Sequence, residues 1–244
     1  YLRQVHGRQV DEVTFEYVTE DTIRRFTSWV AENNSIGTRN IRLSAIKSYL
    51  QYAADRDIEL IPLQLKAAKI KHKKTYPKKH NWLDKEQVVL LLEQPAATKT
   101  GIRDRFIILF LFATGVRLDE FRHIKLKDII TEEKYPYVMV TGKGSKKRII
   151  PVSDETFMEN YSYYCTLYHQ NKNMEDYLFF TVNRDGRGMM SEDNVQRILK
   201  KYADMARKTD PSFPNVHPHL VRHSYGAQLY RLSLSLAEIA KLLG

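Results

Sequence analysis

Four cationic or titratable side chains sit at the start of an element or on a tight turn, where a chain can bring them to one spot. They are Arg117, Lys143, His219 and Arg222. The stretch from Val216 to Gly226 reads Val-His-Pro-His-Leu-Val-Arg-His-Ser-Tyr-Gly. Pro218 suits the first turn of a helix, because its missing N–H would have no partner there. A helix begun near Pro218 puts His219 and Arg222 on one face. The imidazole can trade a proton near neutral pH, and the guanidinium is a fixed, forked cation. That pair suits a phosphate oxygen better than a metal or an acyl group. Most His-x-x-Arg pairs on helices are ordinary surface residues, so other segments must supply the rest of a site.

Arg117 follows a Thr114-Gly115 break at the end of an apolar stretch. An unpaired arginine would be costly there, and Glu120 can hold it. Taken alone, the two make a structural pair. Lys143 falls at the tip of Gly142-Lys143-Gly144-Ser145-Lys146-Lys147, a glycine-bearing basic hairpin. A basic surface turn is the common fate of Gly-Lys-Gly. A tip reaching into a DNA groove accounts equally well for Lys146, Lys147 and Arg148.

The elements that must position these residues can be read from patterning. Residues 1 to 7 look like the tail of an incomplete helix. Thr19 caps a helix to about Glu32, with Ile23, Phe26 and Val30 as its buried stripe. A second runs from about Thr38 to Asp55, and Ile41, Ala45, Ile46, Tyr49 and Ala53 give it an apolar side. Arg39, Arg42 and Lys47 lie off that side, as a solvated face or as DNA contacts. From Gln64 to His80 there are seven lysines and no acid, with Pro77 and little periodicity. This reads as a basic linker. Its lysines, Lys71, Lys73 and Lys74 among them, could lie along a phosphate backbone and release counterions, or merely solvate a spacer.

A second domain opens near Trp82. Asp84 and Gln87 form a capping box, residues 101–113 predict a buried central helix, and another helix opens at 116–121. The period then changes to three short strands at 128–130, 137–141 and 148–152. Helices return from Ser153, from Ser191, at His219, and from Ser235 with Glu238 as its box partner. Tyr161, Tyr163, Tyr164 and Tyr168 in the first of these read as packing. The expected fold is mainly α with a small three-stranded antiparallel sheet, divided into a helical domain (1–63), a basic linker (64–80) and a second domain (81–244).

The chain has 244 residues, 39 Lys plus Arg against 29 Asp plus Glu, and a formal charge of +10. Such an excess points to a polyanion, either nucleic acid or an acidic membrane surface. A single cysteine, Cys165, allows no intrachain disulfide and no multi-cysteine zinc site, which fits a reducing, intracellular setting. The longest apolar run, Phe106 to Val116, is too short to span a bilayer. No secretory signal pattern opens the chain.

The order Arg, Lys, His-x-x-Arg resembles the tyrosine recombinase (phage integrase) family. Four segments carry the resemblance: Ala-Thr-Gly-Val-Arg-Leu-Asp-Glu (113–120), Thr-Gly-Lys-Gly-Ser-Lys-Lys-Arg-Ile-Ile-Pro-Val (141–152), His-Pro-His-Leu-Val-Arg-His-Ser (217–224) and Ile-Ala-Lys-Leu-Leu-Gly (239–244). They cover the whole second domain, as the catalytic domain. The first domain is similar, more weakly, to the family's core-binding domain.

The resemblance implies DNA strand cleavage by a tyrosine hydroxyl, giving a 3′-phosphotyrosine and a free 5′-hydroxyl. Arg117 and Arg222 would donate to the non-bridging phosphate oxygens. His219 would move a proton at the scissile phosphate, and Lys143 would protonate the leaving oxygen. No metal and no cofactor is implied. The implied partner is a double-stranded recombination site, bound by a tetramer on two duplexes, away from membranes. Integration or excision of a mobile element is the role expected. A type IB topoisomerase and an inactive DNA-binding regulator of the same fold are the alternatives.

In the family a His or Trp and then the nucleophilic Tyr follow Leu-Gly, whereas this sequence stops at Gly244. Tyr225 and Tyr230 lie too near Arg222 to stand in. The nucleophile is thus expected beyond Gly244, and these 244 residues are expected to bind DNA without cutting it.

Overall fold

The computed structural model describes residues 1, 3, 7, 9, 14–75, 82–152, 154–171, 173–183 and 186–244, with Lys143 and Asn183 described by their backbone only. The chain divides into two compact units, Tyr1–Lys79 and His80–Gly244.

In the first unit, α1 (Glu20–Asn33) starts where Thr19 accepts the N–H of Thr22, as its capping residue predicts. Helix α2 (Ile36–Ala54) is capped by Ser35 and begins two residues before the expected Thr38. Helix α3 (Ile61–Ala68) opens with a proline in its first turn. Ile23, Leu43, Leu50, Ala67 and Ile70 make the core.

That core corrects two expectations. Apolar residues lie all round α2, so its composition does not choose a face. The face that α1 and α3 cover is Arg39, Leu43, Leu50 and Ala54. Of the stripe expected to be buried, Ile41 and Tyr49 point outward, 72% and 58% exposed, while Ile46 packs partly buried against the core as expected. Arg39 is therefore no surface contact. It is 5% exposed, and its Nη1 donates to Asn40 Oδ1 and to the Lys71 carbonyl, both at 3.0 Å.

The linker expected from Gln64 also begins later. Ala67 and Ile70 are core residues, so 64–70 belong to the first unit. Residues 71–73 are pinned along α2. Asn40 exchanges two hydrogen bonds with the backbone of Lys73, at 2.8 and 3.1 Å, and Ser44 meets His72. Lys47 donates to the Ala68 carbonyl at 2.9 Å. Arg42, Lys71, Lys73 and Lys74 are exposed. The part of the expected linker from 76 to 80 lies outside the described residues.

The second unit is built on α5 (Lys99–Thr114), whose Phe106, Ile107, Ile108, Phe110 and Leu111 are almost wholly buried. Around it lie α4 (Lys85–Glu93), with the expected Asp84–Gln87 capping box, and α6 (Leu118–His123). Strands β1 (Ile129–Ile130), β2 (Tyr137–Thr141) and β3 (Lys147–Pro151) form the expected antiparallel sheet in the order β1-β2-β3. Val138 pairs with Ile150 and Val140 with Arg148. Strand alternation turns Arg148 and Ile150 inward, and leaves Ile149 55% exposed.

Next come α7 (Glu155–Tyr168), capped by Asp154, and α8 (Glu192–Thr209), capped by Ser191. Ser153, where α7 is expected to start, lies outside the described residues. Two further strands, β4 (Phe180–Asn183) and β5 (Gly186–Met189), form a second small sheet that strand periodicity alone does not announce. Helices α9 (Pro218–Arg231) and α10 (Leu236–Leu243) close the unit.

The aromatic run on α7 does pack. Tyr164 is fully buried beside Phe106 and Phe179, and its hydroxyl donates to the Leu178 carbonyl at 2.7 Å. Tyr163 on the same helix is exposed.

Replacing Arg39 with Ala leaves the Lys71 carbonyl without its side-chain donor and Asn40 Oδ1 with the Lys73 N–H alone. We expect the first unit to lose about 1–3 kcal/mol of stability. Thermal denaturation and amide exchange of the full chain check this. An unchanged melting curve would show that these bonds contribute nothing.

Candidate active site

Local structure starts the site. Gly115 ends α5 in the left-handed region, at φ +56°, where a side chain is strained. A β-carbon there would also lie 2.2 Å from the ring of Tyr225. Glycine thus lets α9 approach the α5–α6 turn closely, and the turn delivers Arg117 to the N-cap of α6.

Glu120 lies one turn on. Its Oε2 accepts the backbone N–H of Arg117 at 2.8 Å, and its Oε1 accepts Arg117 Nη1 at 3.0 Å. From β3, Arg148 grips the same carboxylate with both prongs. Nη1 donates to Oε1 at 2.9 Å and Nη2 to Oε2 at 2.7 Å. The Arg148 and Glu120 side chains are 11% and 6% exposed, while Arg117 is 47% exposed. Burial pushes the Glu120 carboxyl up, but the hydrogen bonds and charge of Arg148 and Arg117 outweigh it and hold it below the usual glutamate value.

Arg222 arrives from α9. Its Nη1 donates to the Gly115 carbonyl at 2.8 Å, and its Nη2 to the Leu243 carbonyl at 2.7 Å. Arg148 Nε takes the neighbouring Leu242 carbonyl at 2.9 Å, and Arg117 Nη2 that of Gly244 at 2.5 Å. Three guanidiniums therefore gather at the last turn of α10, around one carboxylate, and the cluster keeps a net positive charge. Burial, followed by the charge of Arg117, lowers the pKa of Arg222. The two arginines feel each other. A groove of about 1450 Å³ opens beside the cluster, lined by Arg117, Arg148, Lys146, Lys147 and Lys241 among others.

The other expected site residues fare differently. His219 stands exposed on the first turn of α9, one turn before Arg222, with its ring 6.5 Å from that of His217. The backbone of Lys143 sits in a 3-10 turn at the β2–β3 hairpin tip. Its side chain lies outside what the structure describes. Lys146 and Lys147 are exposed at the groove. Arg148 departs from the expected exposed contact: strand alternation turns it inward, where its side chain is 11% exposed and makes three bonds to the protein. Arg39, Arg42, Lys47, Lys71, Lys73 and Lys74 belong to the first unit. Tyr225 is buried against Gly115, and burial raises its pKa; Tyr230 is 65% exposed. Among the described residues no group of three or more His, Cys, Asp or Glu is placed to hold a metal, and no helix is long and apolar enough to cross a membrane.

His217 has a structural role that the spacing does not announce. It is the N-cap of α9, and its Nδ1 accepts the N–H of Leu220 at 3.2 Å. Only an unprotonated Nδ1 can accept.

Fold and site together define a mainly helical, two-unit protein with an arginine-rich pocket suited to an oxyanion. The phage integrase family matches residues 81–244. Tyrosine recombinase XerA of Pyrococcus furiosus is 30% identical over 234 residues, 96% of this chain and 74% of the relative. Tyrosine recombinase XerC of Staphylococcus haemolyticus is 29% identical, over 95% of this chain and 73% of the relative. A crystal structure of XerH site-specific recombinase bound to difH substrate shares the fold, with a TM-score of 0.72 at 19% identity, over 99% of this chain and 67% of that one. The Tn1549 transposon integrase in complex with circular intermediate DNA shares it at 0.69 and 15% identity, over 99% and 82%. The chain belongs to the phage integrase family, that of the tyrosine recombinases, and with it comes the general activity of site-specific recombination by DNA strand transfer.

The His217 cap gives a pH dependence. Burial lowers its pKa, and the charges of His219 and His223 lower it further. A depressed histidine stabilises the fold fully above the ordinary histidine range, and that contribution is lost as pH falls through the lowered value. We expect His217→Ala to cost about 1 kcal/mol at pH near 8 and His217→Ser much less, because serine also caps. Melting curves of the three proteins at high and low pH check this. A wild-type advantage over Ala that grew on acidification would overturn the cap assignment.

Proposed function

We propose that this protein breaks and rejoins DNA at a specific site through a 3′-phosphotyrosine intermediate, and that it serves the integration or excision of a mobile element. One observation supports the chemistry above the others. Arg117 and Arg222, far apart in sequence, end on the adjacent carbonyls of Gly244 and Leu243, in one arginine cluster beside the groove. A scissile phosphodiester gains negative charge on its non-bridging oxygens as the fifth bond forms. Forked guanidiniums held in place before the reaction stabilise that charge without reorganising. His219 takes part in proton transfer at the attacking or departing oxygen, and Lys143 protonates the 5′ oxygen as it leaves. Energy is conserved in the phosphotyrosine, so rejoining needs no nucleotide.

The attacking hydroxyl belongs to a tyrosine other than Tyr225 or Tyr230, so activity tests use the product of the whole gene. The exposed Arg42, Lys71, Lys73 and Lys74 of the first unit and Lys146 and Lys147 of the hairpin contact the duplex backbone, and four protomers assemble on two duplexes. A lambda integrase tetramer bound to a Holliday junction, similar in fold, supports that assembly. The mobile-element role draws support from the fold shared with a transposon integrase, and a putative integrase/recombinase of Sinorhizobium fredii is 28% identical.

We expect Arg117→Ala to abolish the covalent DNA–protein adduct while DNA affinity stays within a few-fold. The check is detergent trapping on a supercoiled plasmid carrying the segments that flank the protein's own gene. A wild-type level of adduct from the mutant would remove Arg117 from the reaction. Relaxed plasmid with no exchanged strands, from wild type given two sites, would favour the topoisomerase reading.

Replacing Lys71, Lys73 and Lys74 together with Gln should weaken DNA binding. The slope of log affinity against log salt should become shallower by about one for each phosphate that is no longer neutralised. Filter binding across a salt series measures it. An unchanged slope would place these lysines away from the phosphates.

A further inference from the structure

We propose that Arg148 is a positioning residue of the strand-cleavage site, setting Glu120 and, through it, Arg117, and fastening both to the last turn of α10. The inference rests on the recombinase reading above.

Its sequence neighbourhood suggests a DNA contact, and its geometry does not. Lys147 and Ile149 face out of β3, while Arg148 shares the inner face with the fully buried Ile150 and lies opposite Val140. Its guanidinium is committed three times within the protein: twice to the Glu120 carboxylate and once to the Leu242 carbonyl. Gly142 leaves the room, since a β-carbon there would come within 3.3 Å of Glu120 Oε1 and 3.5 Å of Arg148 Nη1.

The consequence lies in what Glu120 does to Arg117. A buried carboxylate beside one arginine would pair with it face to face, and so occupy the donors that a phosphate needs. Here Arg148 takes that bidentate place. Arg117 keeps one side-chain bond to the carboxylate, at Oε1, and one to the Gly244 carbonyl, with about half its side chain open to the groove. Arg148 also offsets the carboxylate's charge, so the field that Arg117 and Arg222 present stays positive. Its Nε bond to Leu242 ties the same assembly to the helix end that Arg222 holds through Leu243. Arg148 thus joins the 113–120, 141–152 and 239–244 segments at one point without meeting the phosphate.

The test uses the product of the whole gene and a supercoiled plasmid carrying the segments that flank that gene. Single-turnover adduct formation and equilibrium DNA binding are measured for wild type, Arg148→Gln, Arg148→Lys, Glu120→Gln and the Glu120→Gln/Arg148→Gln double variant. Arg148→Gln should slow the adduct step by about tenfold or more, with affinity within about threefold, because a forked charge-assisted pair is removed away from the DNA. Arg148→Lys keeps the charge but not the fork, and should recover only part of the rate. The double variant should fall no further than the slower single variant, since both act through one assembly.

A normal adduct rate in Arg148→Gln overturns the proposal. So does weakened binding at an unchanged single-turnover rate, which would return Arg148 to the duplex. Should Arg148→Gln fail to fold by circular dichroism, Arg148→Lys decides, and a rate within about twofold of wild type counts against the fork. Strictly multiplicative losses in the double variant also overturn it. No adduct from wild type would instead sink the recombinase reading, and this inference with it.

Discussion

One carboxylate organises the second unit. Glu120 is buried, and an uncompensated buried charge would be intolerable. Two guanidiniums from different elements answer it, and they answer unequally. Arg148 gives a closed, desolvated fork; Arg117 gives its backbone N–H and one prong. Breaking such a network by removing one partner leaves a stranded charge, so the three residues stand or fall together. The α5–α6 turn, the β2–β3 sheet and the end of α10 are joined at that point, and the groove opens beside it.

The chemistry follows from the charge left over. Three guanidiniums and one carboxylate leave a net positive cluster, and the exposed Lys146, Lys147 and Lys241 line the groove beside it. In the proposed reaction the phosphate meets guanidiniums already held in place and partly desolvated, where an electrostatic interaction is stronger than in water. The arginines meanwhile use main-chain carbonyls at the end of α10 as partners, which also satisfies oxygens that a helix terminus leaves without intrahelical donors. The same groups thus serve folding and binding. This coupling explains why the cluster needs Gly115: only a residue without a β-carbon lets Tyr225, and therefore the helix bearing Arg222, come this close.

The first unit shows the opposite use of an arginine. Arg39 is buried to hold a basic segment against α2, and the lysines of that segment face solvent. A cation in the sequence of a DNA-binding protein can be a strut for other cations. Asn40 and Ser44 do the same work with neutral groups.

Local signals decided much of the architecture. The caps at Thr19, Asp84, Ser191 and Ser235, the proline at the start of α9, the glycine at the end of α5 and the alternation in β2 and β3 all act within a few residues, so they are legible in the chain. The four motif segments are legible too, because each is short and contiguous. The alternation even carried the information that Arg148 shares a face with Ile150, although its basic neighbours suggested otherwise. An Asp-Gly pair at 185–186 was the available sign of the β4–β5 hairpin. Other facts needed the third dimension. Which face of α2 is inside depends on what packs against it, since apolar residues surround that helix. That Ala67 and Ile70 are core and not linker depends on the same packing. The partnership of Glu120 with Arg148 is a matter of a strand and a helical turn meeting, and no spacing within the chain encodes it. Residue order sets where a helix or strand begins and which side chains it offers. Long-range packing alone chooses which of those charges are buried together, because burial is a property of the surroundings and not of the residue.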